Sequence, residues 1–185
     1  MHPREIDTFK TQLKNSKCYL EYGIGASTVI AHESTQIPIY SIESSREWIN
    51  KINKSINDKN RYKCKFIDVG PVGKFGTPST LKKKGSWCNY PNAIFDIDFS
   101  IDPDLVLVDG RFRVACVLSV VKYATQNNLK INIMLHDCQR KHYSPINKYI
   151  NRINQQDTLL LFEPKKNINL TELDDDFKKY QYEVK

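Results

Sequence analysis

Several features that would place a protein in its class at once are missing from this sequence. Its 5 cysteines are an odd number, widely spaced and without a C-x-x-C pair, so the sequence does not suggest a zinc site. No apolar run approaches the roughly 20 residues of a membrane-spanning helix. The charged start MHPREIDTFK also lacks the apolar core of a signal peptide. We therefore expect free thiols, no membrane span and a cytoplasmic location.

Composition limits the architecture further. At 185 residues the chain is long enough for one domain with a substantial core, and we predict a single domain over 1–185. With 40% hydrophobic and 26% charged residues it has the composition of a globular protein. The net charge of +7 would suit a nucleic-acid surface, yet the lysines are scattered rather than gathered in one stripe. A nucleic-acid partner is therefore not expected.

Short apolar segments alternate with segments of helical periodicity. The apolar segments predict strands at 18–20, 38–42, 63–68, 105–108, 131–135 and 158–162. Nearly all their residues are apolar, which is typical of parallel strands buried on both faces. We therefore predict an α/β fold with a doubly wound, mostly parallel sheet of six to seven strands and helices on both faces.

Two helices are predicted after the fifth strand. Ser144-Pro145 has the form of a cap followed by proline at the first helical position. The apolar residues that follow at helical spacing are Ile146, Tyr149, Ile150 and Ile153. A final amphipathic helix is predicted from Leu170, Leu173, Phe177 and Tyr180.

One long segment, 69–91, interrupts this regular alternation. It contains four glycines, three prolines and the run Lys82-Lys83-Lys84. Loops of this length inside a compact domain are usually functional lids or mobile insertions. We predict a lid or substrate loop here, with a mobile insertion as the alternative.

Functional residues of an open α/β sheet follow the carboxyl ends of its strands. After the first strand, Gly23 and Gly25 precede a helix start and would let a ligand approach the backbone closely. A dinucleotide fingerprint would need a third glycine at Thr28, so NAD is not favoured. Glu21 could pair with the ammonium of an amino acid, and Glu43 could accept the hydroxyls of a ribose.

The pattern Glu21-x-Gly23-x-Gly25-x-Ser27, with Glu43 ending the next strand, resembles the cofactor site of Rossmann-like class I S-adenosylmethionine-dependent methyltransferases. The resemblance implies S-adenosylmethionine as cofactor. The residues it assigns to cofactor binding are Glu21, Gly23, Gly25, Ser27, Thr28, Glu43, Ser44 and Asp68. The chain departs from the family in two places: Ser27-Thr28 replaces the usual small residue, and a helix stands where the family has an antiparallel seventh strand.

The turns after the fourth and fifth strands narrow the chemistry. Asp109-Gly110-Arg111-Phe112 replaces the Asp/Asn-Pro-Pro-Tyr of enzymes that methylate exocyclic amino groups of bases, so base methylation is not expected. Asp109-Gly110 followed by His136-Asp137 is similar to small-molecule and sugar O-methyltransferases. Some of these hold a divalent metal, and the resemblance then implies Asp109 and Asp137 as ligands of Mg²⁺.

Methyl transfer to a hydroxyl requires positioning of the acceptor and removal of a proton. His136 is the natural general base, and Asp109 could orient it or accept the proton itself. We group Asp109, His136, Asp137 and Arg111 as catalytic candidates. Cationic side chains near the same turns suit a small acceptor that is anionic or sugar-containing, and the residues assigned to binding it are Arg113, Arg140 and His142.

Structural roles remain open for each candidate. Glu21, Glu43 and Asp109 could cap the helices that follow them, and His136 could be a hydrogen-bonded structural histidine. One of Arg111 and Arg113 could pair with a nearby acid. The alternative function is a non-catalytic module that binds a nucleotide-like ligand or serves as a nucleic-acid adaptor. The sequence leaves the oligomeric state open.

Overall fold

The computed structural model describes residues 1–184. The strands are β1 Tyr19–Tyr22, β2 Ile39–Glu43, β3 Tyr62–Phe66, β4 Leu105–Val108, β5 Asn132–Leu135, β6 Ile150–Gln156 and β7 Leu159–Pro164. The helices are α1 Pro3–Lys14, α2 Ala26–Ser34, α3 Arg46–Asn53, α4 Asn89–Asn92, α5 Arg113–Gln126 and α6 Leu170–Tyr180. Short 3₁₀ segments lie at Lys74–Gly76, Lys84–Ser86, Ala93–Asp96 and Lys141–Lys148.

The seven strands form one sheet in the order β3-β2-β1-β4-β5-β7-β6. Strands β1 to β5 pair in parallel, whereas β7 is antiparallel to both β5 and β6. This confirms the predicted Rossmann-like, doubly wound and mostly parallel sheet. The expectation that the antiparallel seventh strand is missing was wrong, because β6 and β7 form a hairpin that carries it.

The helix predicted after Pro145 was also wrong. Residues Lys141–Lys148 form a 3₁₀ segment and the chain then enters β6, which pairs with β7 along its whole length. Ile146 and Tyr149 are buried, and an i, i+3 spacing fits a 3₁₀ turn as well as an α-helix. Ile153, by contrast, is 51% exposed on the edge strand. Apolar spacing in this segment therefore does not report an α-helical face.

Apolar packing lies on both faces of the sheet. Leu105 and Leu107 of β4 pack with residues of α1, α2 and α3, whereas Val106 and Val108 pack with α4, α5 and α6. This alternation follows from the two-residue period of a strand. It explains why the central strands are apolar at every position, and it confirms helices on both faces.

Helix α1 was not among the predicted elements. Pro3 occupies its first turn, and Phe9 and Leu13 are fully buried against the sheet face that α2 and α3 also cover. A hydrogen bond from the His2 backbone N–H to Glu5 Oε2, 2.6 Å long, holds the start of the helix. No helix among residues 1–184 is both long enough and apolar enough to cross a membrane.

Segment 69–91 is anchored at both ends and exposed between them. Trp87 and Tyr90 are buried, and Trp87 Nε1 donates to the Val69 carbonyl over 2.9 Å. Phe75, in contrast, is 68% exposed and has a positive φ of 58°. Gly76 follows it and lies against Glu43 and Ser44. The segment thus reaches the carboxyl end of the sheet, where a lid would have to lie.

Candidate active site

The glycine turn connects β1 to α2. Gly23 has a φ of +88°, and a Cβ there would lie 2.6 Å from the Gly110 Cα, so no larger residue fits without movement. A Cβ on Gly25 would meet nothing within 4 Å, which leaves open space at the start of α2. Thr28, where a dinucleotide fingerprint has glycine, instead accepts a hydrogen bond from the Gly25 N–H over 3.0 Å. Its hydroxyl therefore holds the turn in place of a third glycine.

Glu21 lies beneath this turn and is fully buried. Its carboxylate accepts hydrogen bonds from four hydroxyl groups, those of Tyr19, Ser27, Thr28 and Ser41. Burial raises the pKa of Glu21 to about 7, although these hydrogen bonds act to lower it. Glu21 does not line the cavity described below, so its contacts are with the protein interior.

Glu43 ends β2 beside the glycine turn and is 6% exposed. One carboxylate oxygen accepts from the Ile24 N–H over 3.1 Å. The other accepts from the N–H groups of Ser44 and Ser45 over 2.6 and 2.8 Å, with a long contact of 3.4 Å to the Ser44 hydroxyl. A carboxylate offers about four acceptor positions, so one remains for a ligand if the Ser44 hydroxyl turns away.

Asp68 lies apart from these residues. Its side chain is 52% exposed, forms an ion pair with Lys83 and accepts from the Gly70 N–H over 2.9 Å. The hydrogen bond from Lys83 lowers the pKa of Asp68. Because Lys83 belongs to segment 69–91, this pair joins the strand end to the segment and does not face the cavity.

Arg113, in the first turn of α5, is a buried structural cation rather than an exposed one. Its Nε donates to the Gly110 carbonyl over 3.0 Å. Its Nη1 donates to the His136 carbonyl and to Asp137 Oδ2 over 2.6 and 3.2 Å. Its Nη2 donates to the carbonyl and to Oδ1 of Asp109 over 3.1 and 3.0 Å. These contacts use all five guanidinium donors, so Arg113 has none left for an acceptor molecule.

His136 lies between two carboxylates. Its Nδ1 is 3.0 Å from Asp109 Oδ1, and its Nε2 is 3.3 Å from Glu5 Oε2. Burial acts to lower the pKa of His136, but Asp109, Asp137 and Glu5 outweigh it and raise the pKa above its usual value. A neutral ring would turn one lone pair toward a carboxylate, whereas an imidazolium donates to both. The geometry therefore favours the protonated ring.

Glu5 was missed at the sequence level. It is fully buried, and its Oε1 accepts from the backbone N–H and the hydroxyl of Thr158 over 2.8 and 2.6 Å. Burial acts to raise the pKa of Glu5, but these hydrogen bonds, that of His2 and the charge of His136 lower it to about 2. The signal in the sequence was local: proline at the helix start and glutamate two residues later are typical of a capped helix.

Asp137 and Arg140 complete the charged side of the site. Asp137 adopts a positive φ of 58° and pairs with both Arg113 and Arg140. Arg140 is 38% exposed and borders the cavity, whereas His142 lies outside it and packs edge-on against the Tyr143 ring. Together, three carboxylates and three cations form the charged cluster: Glu5, Asp109, Asp137, Arg113, His136 and Arg140. Its formal charges balance when His136 is protonated.

A cavity of about 410 Å³, the main cavity, joins the glycine turn to the charged cluster. One end is bordered by Gly23, Gly25, Ser27, Glu43 and Ser44 and the other by Asp109, Arg111, Arg113, His136, Asp137 and Arg140. Met1 and Ile6 of the N-terminal segment, Trp48 of α3 and the Phe75-Gly76 tip also contribute. The structure thus brings together most of the predicted site residues; Glu21, Thr28, Asp68 and His142 lie outside the lining.

The donor set does not fit Mg²⁺. Potential ligand atoms of Asp109, His136 and Asp137 lie within 4.8 Å of one another. However, oxygens of both carboxylates already accept hydrogen bonds from Arg113, and Asp109 Oδ1 also faces His136 Nδ1. A divalent cation would have to lie beside a buried guanidinium and displace these donors. The magnesium expectation for Asp109 and Asp137 therefore finds no support in this geometry.

The strand order, the single antiparallel strand and the glycine turn define a class. The chain has the Rossmann-like fold of the class I S-adenosylmethionine-dependent methyltransferases, as the sequence resemblance predicted. The similarity to sugar O-methyltransferases is not established by these comparisons. Neither a protein-family model nor a curated protein sequence matches the chain.

Among solved structures, the chain is similar to a methyltransferase-like protein from Silicibacter pomeroyi DSS-3. The two share 25% sequence identity with a TM-score of 0.83, over 99% of this chain and 96% of the other. N-methyltransferase NodS from Bradyrhizobium japonicum WM9, in complex with S-adenosyl-L-homocysteine, is 12% identical with a TM-score of 0.52, over 89% of each chain. An RNA methyltransferase from Salinibacter ruber, also in complex with S-adenosyl-L-homocysteine, is 10% identical with a TM-score of 0.51, over 91% and 95%.

Proposed function

We propose that this protein is an S-adenosylmethionine-dependent methyltransferase that methylates a hydroxyl of a small anionic or sugar-type acceptor. One observation carries the proposal: a single cavity connects the glycine turn and Glu43 with Asp109. A cofactor and an acceptor bound at these two ends would meet between them. The complexes of two structural neighbours with S-adenosyl-L-homocysteine support the choice of cofactor.

The residues of the glycine turn fit such a cofactor. Open space beside Gly25 admits a ligand close to the backbone, and Glu43 retains an acceptor position for a ribose hydroxyl. When bound, the cofactor supplies a methyl group on a sulfonium centre. Glu21 does not meet it directly, so we assign Glu21 to positioning the turn through Ser27 and Thr28.

The proton of the acceptor goes to Asp109 rather than to His136 in this proposal. Both ring nitrogens of His136 face carboxylates, so the protonated ring has no free lone pair to act as a base. Asp109 Oδ1 is held by His136 and Arg113, and its side chain is 29% exposed at the cavity. His136 is then a positioning residue that fixes the Asp109 carboxylate toward the acceptor.

The acceptor class follows from charge. Burial acts to raise the pKa of Asp109, but the hydrogen bond from His136 and the charges of Arg113 and His136 leave it below its usual value, which makes Asp109 a weak base. A weak base suits an acidic hydroxyl better than an ordinary one. Arg111 and Arg140 border the main cavity, and their positive charges favour an anionic acceptor. An acidic sugar supplies the anionic group.

The location of the protein forms part of the same proposal. All five cysteines are free thiols, which supports a reducing, cytoplasmic location. A nucleic-acid acceptor remains the competing class, because an RNA methyltransferase is among the structural neighbours. The lysines are scattered along the sequence rather than gathered in one basic stripe, which favours a small-molecule acceptor.

Calorimetric titration with S-adenosylmethionine and S-adenosyl-L-homocysteine tests the proposal, with NAD as the unrelated nucleotide. We expect binding of the first two only. Glu43→Ala should weaken that binding roughly 10- to 100-fold, the effect of losing a hydrogen bond to a charged group worth about 1.5–3 kcal/mol.

Asp68→Ala is the matched control, since Asp68 is a strand-end carboxylate outside the main cavity, and it should leave the affinity nearly unchanged. Equal losses in the two variants would contradict the ribose assignment. If neither cofactor form binds, the methyltransferase proposal fails. Cofactor binding without turnover on any acidic sugar or RNA would favour the non-catalytic nucleotide-binding module.

A further inference from the structure

We infer that a second cavity, beside the main one, binds the oxyanion group of the acceptor; the link to an acceptor rests on the proposed function. This second cavity has a volume of about 150 Å³ and follows β5 at the carboxyl end of the sheet. Arg140 borders both cavities. The remaining lining residues are Leu135, Cys138, Gln139, Lys141, Tyr143, Ser144, Ile146, Asn147, Arg152 and Leu160.

The charge of this lining has one sign. Arg140, Lys141 and Arg152 are its charged residues, and no aspartate or glutamate is among those that border it. Arg140 is paired with Asp137, but neither Lys141 nor Arg152 forms an ion pair within the part of the chain that the structure describes. Among the described residues, the Arg152 side chain donates only to the Asn147 side-chain oxygen, over 3.0 Å. Two cations at this cavity are therefore uncompensated.

A buried hydroxyl adds a second, independent observation. Tyr143 borders the second cavity and is 2% exposed, and its hydroxyl has no hydrogen-bond partner among residues 1–184. Arg111, which borders the main cavity, likewise has a buried Nε without a partner in that range. A buried donor without a partner is unfavourable, so an acceptor atom is expected near each of these two groups.

Guanidinium groups with a lysine and a tyrosine hydroxyl match the acceptor atoms of phosphate and carboxylate groups. Because Arg140 borders both cavities, one molecule can place its hydroxyl near Asp109 and its oxyanion in the second cavity. The acceptor is then a compound whose reacting hydroxyl and oxyanion are separate groups, as in a sugar phosphate or a sugar acid.

Calorimetric titration with inorganic phosphate and, separately, with acetate tests the second cavity directly. The variant Lys141→Gln/Arg152→Gln removes both uncompensated charges while leaving the charged cluster intact. We expect binding of at least one anion to the wild-type protein, and affinity for that anion at least about tenfold lower in the variant. The anion that binds more tightly identifies the oxyanion class.

The matched control is Lys17→Gln/Lys130→Gln, which removes two exposed lysines at the amino ends of β1 and β5. It should bind phosphate or acetate as the wild type does. Absence of binding to the wild type, or equal affinity in the two double variants, would overturn the inference.

A parallel titration with S-adenosyl-L-homocysteine separates the two proposals. The Lys141→Gln/Arg152→Gln variant should bind it with unchanged affinity, because neither residue borders the main cavity. If neither the wild type nor the variants bind S-adenosyl-L-homocysteine, but the anion affinities differ as expected, the oxyanion site stands and the methyltransferase proposal fails. Loss of both affinities in the variant would indicate a damaged fold and contradict a local site.

Discussion

Glu21 and Asp109 lie at the carboxyl ends of neighbouring parallel strands, yet their carboxylates have opposite kinds of partner. Glu21 is surrounded by four hydroxyls, whereas Asp109 faces Arg113 and His136. Burial raises the pKa of Glu21 to about 7, while the pKa of Asp109 is lowered despite its burial. Hydroxyls satisfy hydrogen-bonding capacity but do not compensate charge, and only the cations do both.

The difference suits the two ends of the main cavity. Because the pKa of Glu21 is about 7, its carboxyl group holds Ser27 and Thr28 beneath the glycine turn without a full negative charge at neutral pH. A balanced set of full charges at the other end fixes the orientation of Asp109 and of the residues around it. Substitutions in these two groups of residues therefore test whether hydroxyl partners and cationic partners have different effects on stability and pKa.

Removing the buried cation should have the largest effect. In Arg113→Met, Asp109 and Asp137 lose their shared partner, and breaking a buried pair in this way typically costs about 3–5 kcal/mol of unfolding free energy. Urea unfolding measures the loss. Arg140→Met is the matched control because Arg140 is 38% exposed, and it should cost no more than about 1 kcal/mol. Similar losses in both variants would contradict the structural role of Arg113.

The next effect comes from the hydroxyl-bound carboxylate. Because the pKa of Glu21 is raised from an ordinary value of 4.5 to about 7, its contribution to stability is full below pH 4.5 and is lost as the pH rises through 7. The change amounts to about 3 kcal/mol. Glu21→Gln should remove this decline, as judged from urea unfolding at pH 5 and pH 8.

Asp68→Asn, a surface change of the same kind, should leave the decline in stability in place. The pKa of Asp68 is lowered, so this carboxyl group titrates below pH 5. A wild-type protein that is equally stable at both pH values, or an equal decline in the wild type and in Glu21→Gln, would show that the pKa of Glu21 is not raised; the raised pKa of His136 adds a decline that both proteins share.

The smallest expected effect is a change in the pKa of His136, within the charged cluster. Glu5→Gln leaves Asp109 in contact with His136 but removes one of the negative charges that raise the pKa of the imidazole. The titration midpoint of His136, followed by NMR, should lie above about 6.5 in the wild type and fall in the variant.

Glu33→Gln, an exposed substitution in α2, should not move that midpoint. A wild-type midpoint below 6.5 would favour a neutral ring and return His136 to the role of general base. An unchanged midpoint in Glu5→Gln would mean that Glu5 acts only on the capping of α1 and on Thr158.

Sequence patterns predicted the central strands of the sheet better than its edge strand β6. The central strands are apolar at every position because both faces are covered, so runs such as 105–108 were unambiguous. Strand β6 is mostly exposed, and the spacing of its two apolar residues, Ile150 and Ile153, coincides with that of a helix. Only pairing with β7, a contact outside the segment itself, makes it a strand.

The site was predictable to the extent that it follows strand ends. Asp109, His136 and Asp137 converge because parallel strands β4 and β5 end at the same edge. The partners were not predictable, because Glu5 reaches His136 across 131 positions of sequence. Arg113 is buried directly after Phe112, whose backbone is left-handed, and no pattern in the sequence predicts that conformation.

The contact between Gly23 and Gly110 limits how this protein can change. A Cβ on Gly23 would lie 2.6 Å from Gly110, and one on Gly110 would lie 2.3 Å from the Tyr90 hydroxyl. Both positions already hold the smallest residue, so an increase in size at one cannot be offset by a decrease at the other. A directed-evolution library that explores the proposed acceptor site therefore keeps these two codons constant and varies the side chains around the second cavity instead.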